Sequence, residues 1–287
     1  MDVAVEMACD VGESPCWDAE TGSLLFVDIT PGRIHRLDTR SGHRSSFEVG
    51  QEAGAVVLGE EGGLVIAARD GIIACGDDGR NPLPIADIDT DHPERRMNDA
   101  KCDPQGRLWA GTMAFDLSAG VASLYRVDRG VVVTVLTGVT LSNGLGWSPD
   151  GTVMYFVDSM TYSIQAFDFD GSAGSIDHPR CFVRLDPAGG LPDGLCVDQE
   201  GGVWVALMGG GEVRRYDASG ALTATIRLPV RQVTSCAFGG SDLSEMFITT
   251  AAYRMSPAER RAEPLAGSVF TCGPGVRGLP ATPYRVR

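Results

Sequence analysis

No stretch of the 287-residue chain approaches the roughly 18 consecutive apolar residues that a membrane-spanning helix requires. The opening Met1-Asp2-Val3-Ala4-Val5-Glu6 has neither the basic start nor the apolar run of a secretory signal, so a cytoplasmic protein is expected. Positive charge is scarce: 24 Lys and Arg stand against 38 Asp and Glu, a formal net charge of −14. That balance repels phosphate backbones and anionic lipid and attracts cations, which argues against nucleic-acid and membrane partners. The eight cysteines include no Cys-x-x-Cys pair, and Cys102, Cys196 and Cys236 sit inside apolar alternation, where a thiol packs as a small buried hydrophobe. Reduced structural thiols are expected. The four histidines (His35, His43, His92, His178) share no register, and a Gly-x-Ser-x-Gly elbow is absent, so a histidine-based nucleophilic triad is disfavoured. With 43% hydrophobic residues, the chain reads as a soluble globular protein, one domain over residues 1–287, monomeric or a small homo-oligomer.

What is present is a repeat. Polar or small residues open six segments near Glu13, Ala53, Asn98, Asn143, Asp193 and Ser235, a spacing of 40 to 50 residues that signals a propeller or similar array. Internal register is tighter. Five residues after the anchor come Asp18, Asp103, Ser148 and Asp198, and eight or nine after it come Gly22, Gly106, Gly151 and Gly201. Each glycine turn leads into an apolar run such as Leu24-Leu25-Phe26-Val27 or Val203-Trp204-Val205-Ala206, read as a buried central strand. A third, alternating strand follows in each repeat, and a weaker fourth in the first five. The fold expected is an all-β, six-bladed propeller of four antiparallel strands per blade. The sixth repeat lacks a convincing fourth strand, while Val3-Ala4-Val5-Glu6-Met7-Ala8 is an orphan, so the N-terminal strand is expected to complete the last blade. One helix is signalled, at Ser256-Pro257-Ala258-Glu259, with a capping serine, a proline at the first helical position and a glutamate three residues on.

Equal register in successive blades places side chains across one channel mouth from each other. Glu13, Asn98, Asn143 and Asp193 would then form an all-oxygen set suited to a hard divalent cation. Zinc through carboxylates stays open, though no histidine lies at an anchor. Taken alone, Asn143-Gly144 and Asp193-Gly194 look like hairpin turns, but each repeat already has its turn elsewhere, with Asp150 the solvated turn residue. Arg96, two residues before Asn98, could hold substrate oxygens with its planar fork of donors, and Asp116 is a further carboxylate near the same mouth.

These signatures resemble the regucalcin (senescence marker protein), gluconolactonase and luciferin-regenerating-enzyme family. The resemblance is carried by Gly12-Glu13-Ser14-Pro15, Asn98-Asp99-Ala100-Lys101, Trp109-Ala110-Gly111-Thr112-Met113, Ser142-Asn143-Gly144-Leu145, Pro192-Asp193-Gly194 and Thr234-Ser235-Cys236-Ala237-Phe238-Gly239-Gly240, over about residues 11 to 273. It implies a divalent metal held by Glu13, Asn143 and Asp193, with Ca2+ first and Mg2+, Mn2+ or Zn2+ as alternatives. It also implies Asp193 as general base, substrate contacts from Arg96 and Asn98, and hydrolysis of a sugar lactone. In one departure, animal members carry a glutamate where this chain has Asp116, followed by a longer loop, so their substrate preference does not transfer. Two other functions use the same ligands: a calcium-binding regulatory propeller, and a metal-dependent hydrolase of a non-sugar ester.

Overall fold

The structure is a computed structural model, and residues 1–285 are described. Each repeat folds into one four-stranded antiparallel sheet, giving six blades. The first strands of the repeats are Gly12–Asp18, Ala53–Leu58, Arg95–Cys102, Ser142–Trp147, Leu191–Val197 and Val233–Gly239. They are the innermost strands, and each packs against its counterparts in both neighbouring blades, so the ring closes from the sixth back to the first.

The continuous apolar runs are buried on both faces, one face for each neighbouring blade. In Ser23–Asp28, Leu24 and Phe26 pack with Trp17, Phe247 and Val269 towards blade 6, whereas Leu25 and Val27 pack with Val56, Leu64 and Ile66 towards blade 2. A strand with two buried faces has no reason to alternate in polarity. The turn register has an equally local cause. Gly22, Gly106, Gly151 and Gly201 have φ of 67°, 80°, 66° and 81°, a left-handed conformation that costs glycine little. The acid before the turn locks it. Asp103 accepts from the backbone of Gln105 and Arg107, from Arg107 Nε at 2.6 Å and from the Trp109 indole at 2.9 Å; Asp198 does the same with Glu200, Gly202, Arg215 and Trp204.

Blade closure follows the sequence expectation. Asp2–Val5 pairs antiparallel with Val269–Cys272 as the outermost strand of the sixth sheet, with Val3 opposite Phe270 and Val5 opposite Val269. Pro257–Ala262 is a short helix whose capping box joins Ser256 and Glu259 reciprocally. No helix among the described residues is long and apolar enough to cross a membrane.

One element has no counterpart in the repeat pattern. After the sixth blade the chain runs over the end of the channel remote from the anchors. Gly278 forms a bridge to Asp198 in blade 5, and Tyr284, 1% exposed, bridges Gly59 in blade 2 and packs between blades 2 and 3. Its hydroxyl accepts from the Gly130 amide at 3.1 Å, and Arg285 grips Asp128 through Nε and Nη2 at 3.1 and 2.7 Å. Leu279, Pro280, Ala281 and Thr282 lie between these two attachments and wall the channel cavity, so this strap spans the ring.

Candidate active site in the channel

Every inner strand breaks register against its neighbour at its anchor. The irregularities fall between Glu13 and Cys16, Ala53 and Ala55, Met97 and Ala100, Ser142 and Leu145, Pro192 and Leu195, and Val233 and Ser235. A β-bulge re-aims the side chains it carries and bends the strand. In blades 3, 4 and 5 the residues in the bulge are Asn98-Asp99, Asn143-Gly144 and Asp193-Gly194, and in blade 1 Glu13 immediately precedes it. The glycines there are not turn residues; they admit a neighbour. A Cβ on Gly144 would meet the Asp193 carbonyl oxygen at 2.7 Å, and one on Gly54 would meet the Asn98 carbonyl oxygen at 2.2 Å.

Three of the predicted residues are tied directly together. Arg96 Nη1 donates to Asn98 Oδ1 at 2.8 Å and to the Met97 carbonyl at 2.8 Å; Asn98 Nδ2 donates to Asn143 Oδ1 at 2.8 Å and to the Ser142 carbonyl at 2.7 Å. Asn143 Nδ2 in turn donates to Ser159 Oγ at 2.8 Å. Glu13 and Asp193 join through their charge: burial raises the pKa of the Glu13 carboxyl well above its ordinary range, and Asp193 and then Asp99 add to the rise. Asp193 is raised well above its range by burial, then by Asp99. Burial lowers the Arg96 guanidinium to about 10, and the charges of Glu52, then Glu13, oppose that fall. Asp116 stands apart. It is exposed on a turn, and its carboxylate accepts from the Ser118 amide and hydroxyl at 2.9 and 2.8 Å, an arrangement that holds its own loop.

Two residues that the register argument passed over belong to the cluster. Asp99 follows an anchor and is 6% exposed, with its pKa raised by burial and lowered by Lys101. Lys101 is the only lysine in the chain. Its ammonium donates to the Leu195 carbonyl across the channel at 2.6 Å. The two lie on alternate positions of one strand, Arg95–Cys102, which is the signal that would have found them. Below the anchors lies a cavity of about 270 Å³, walled by Ser14, Asp99, Lys101, Cys196 and Cys236 and roofed by the strap.

The donor set fits a cation. Asp103 and Asp198, both fully buried, each have an arginine within 2.7 Å. Glu13, Asp99 and Asp193 have no such partner among the described residues; backbone amides of Ser14, Ala100 and Gly194 are what support them. Glu13 and Asp99 are buried and Asp193 half-buried; carboxylates withdrawn from water without a counter-charge are costly, and a divalent ion is one way to neutralise them. No three His, Cys, Asp or Glu side chains converge as a ready-made metal site among the described residues. The candidate is therefore two carboxylates, Glu13 and Asp193, completed by the amide oxygen of Asn143.

Known proteins share this arrangement of blades. Residues 11–252 match the family described as SMP-30/Gluconolactonase/LRE-like region. The chain is 40% identical to regucalcin of Gallus gallus over 283 residues, 96% of this chain and 94% of that protein. Among solved structures, the calcium-binding protein regucalcin of Agrobacterium tumefaciens superposes with a TM-score of 0.96 at 29% identity, covering 99% of this chain and 97% of that one. A luciferin-regenerating enzyme superposes at 0.93 with 28% identity, covering 99% and 98%. With the family match over most of its length and a relative at 40% identity, this chain belongs to the SMP-30/gluconolactonase/luciferin-regenerating-enzyme family of six-bladed propellers.

Proposed function

We propose that the protein is a divalent-metal-dependent sugar lactonase that hydrolyses an aldono-1,5- or 1,4-lactone to the aldonic acid, acting in the cytoplasm. The observation that carries this reading is the pairing of two carboxylates, buried Glu13 and half-buried Asp193, that make no ion pair among the described residues, with an amide chain that ends at a half-buried arginine. Glu13, Asn143 and Asp193 would hold the ion. When bound, it supplies Lewis-acid polarisation of the lactone carbonyl and charge opposite the developing oxyanion.

The chain's own residues do the rest. Asp193 takes the proton of the attacking water; its burial makes it a stronger base than an exposed aspartate, in keeping with the raised pKa. Arg96, still protonated at neutral pH with its guanidinium near 10, offers fixed N–H donors to sugar oxygens, and the Asn98 carboxamide holds that fork in place. An epimer with a misplaced hydroxyl would leave such donors unmade, which is the basis for choosing among sugars. Asp116 can join only if its turn releases Ser118. Ca2+ is the first choice of ion because the Agrobacterium regucalcin is described as calcium-binding.

The test is proton release from a panel of aldonolactones by chelator-stripped protein, with Ca2+, Mg2+, Mn2+ or Zn2+ added back and spontaneous hydrolysis subtracted. Ion-dependent turnover of one or a few lactones is expected. Ion binding without acceleration of any lactone would turn the reading towards a regulatory calcium site.

A further inference from the structure

The hydrogen bonds from Arg96 to Ser159 all run in one direction, and the chemistry of the two fixed groups at its head explains why. A guanidinium can only donate, and a backbone carbonyl can only accept. Arg96 Nη1 meets one end of the Asn98 carboxamide and the Ser142 carbonyl meets the other, so Asn98 has a single orientation, oxygen to Arg96 and nitrogen to Ser142. Towards Asn143 it then presents only N–H. Asn143 must answer with its oxygen; turned over, it would set one NH2 group against another. Ser159 cannot enforce this, because a hydroxyl donates or accepts with equal ease. Asn98 is 6% exposed, Asn143 4% and Ser159 0%, so water does not relax the constraint.

We propose that Arg96 and Asn98 are positioning residues for the metal: by fixing which face Asn143 presents, they set its affinity for a divalent cation. The inference rests on the metal-ligand role given to Asn143 above, and it assigns the arginine and its amide a task beyond contact with sugar. Because binding free energies are reciprocal, a substrate oxygen on Arg96 and an ion on Asn143 influence each other by the same factor.

The experiment measures Ca2+ and Mn2+ affinity of chelator-stripped protein by titration calorimetry, for the parent, Asn98→Leu and Arg96→Met, each repeated in an Asn143→Asp background. Loss of an orienting partner costs a metal site roughly 10–100-fold in affinity, and Asn98→Leu is expected to fall in that range. Arg96→Met should also weaken binding, although removal of a nearby positive charge would by Coulomb's law alone tighten it. A carboxylate has two equivalent oxygens and no orientation to lose, so both losses should nearly vanish in the Asn143→Asp background. Parent-like affinity in Asn98→Leu, tighter binding by Arg96→Met, or losses that persist undiminished with Asn143→Asp overturn the proposal and leave the metal site standing. A parent that binds neither ion overturns both. If Asn98→Leu does not fold, Asn98→Ser, too short to reach Asn143, carries the same comparison.

Discussion

Blades 2 and 6 have the same inner-strand bulge as blades 1, 3, 4 and 5, yet carry none of the proposed site residues. Blade 2 places Gly54 in it, where any side chain would strike the Asn98 carbonyl. Blade 6 places Thr234, whose hydroxyl is turned aside to the Gly12 carbonyl at 2.5 Å and to Thr249 at 2.9 Å. The backbone device is thus common property of the fold, and on the proposed function the chemistry depends on what four of the six positions carry. Blades 2 and 6 are not idle: one makes room for the strand bearing Asn98, and the other ties the strand bearing Glu13.

The sharpest way to break this comparison is to change an anchor and its counterpart in a silent blade. Asp193→Asn removes the proposed base at nearly constant volume, and kcat should fall on the order of 10²–10⁴-fold, while Ser235→Ala, beside the blade 6 bulge, should leave kcat close to the parent's. Equal losses in steady-state lactone hydrolysis would erase the distinction between the two kinds of blade. Next in size is the closure of blade 6 itself. Removing residues 1–8 strips the outermost strand and the buried Val5 from the last sheet. Several backbone hydrogen bonds and one buried side chain together imply a fall in Tm on the order of 10 °C by scanning calorimetry. An unchanged Tm would show that blade 6 stands without it.

The smallest effect separates acid sensitivity of the scaffold from that of the anchors. His35 stacks on Phe26 at 4.8 Å with its Nε2 buried and unpartnered, and burial, helped by Arg33 and Arg44, lowers its pKa to about 4. Between an unfolded value near 6.5 and the folded value, only the unfolded chain takes up the proton. This contribution is therefore intact above pH 6.5 and is lost as pH falls to about 4, on the order of 1–3 kcal/mol. His35→Phe keeps the stack and should flatten that part of a denaturant-midpoint profile in the presence of chelator. A profile unchanged by the substitution would place the acid sensitivity elsewhere.

The turns and central strands could be read from residue order because their causes are local. A glycine at positive φ and a carboxylate capping the same turn lie within a few positions of each other, as in Asp103-Pro104-Gln105-Gly106. Anchor register was legible for the same reason. The bulges were not, since Met97-Asn98-Asp99-Ala100 reads as unbroken strand and the slip exists only against Ala110–Thr112. Nor was the strap, whose hold on the ring depends on Tyr284 finding blades 2 and 3 more than 150 residues away from its partner Gly130. Asp116 shows the converse limit. Its position in sequence suggested the mouth, but a serine two residues on offers it a nearer partner.

Pairing Asp2–Val5 with Val269–Cys272 also has a consequence in time. Asp2–Val5 leaves the ribosome well ahead of its partner and must wait for a strand more than 260 residues behind it. At roughly 5–20 residues per second that delay is on the order of tens of seconds. Through that interval blades 1 to 5 can form in order of synthesis, but the ring stays open. The inner strands bearing Glu13 and Asp193 are joined around the ring by that of blade 6, which packs against both. The proposed site is therefore incomplete in the nascent protein until Asp2–Val5 and Val269–Cys272 meet.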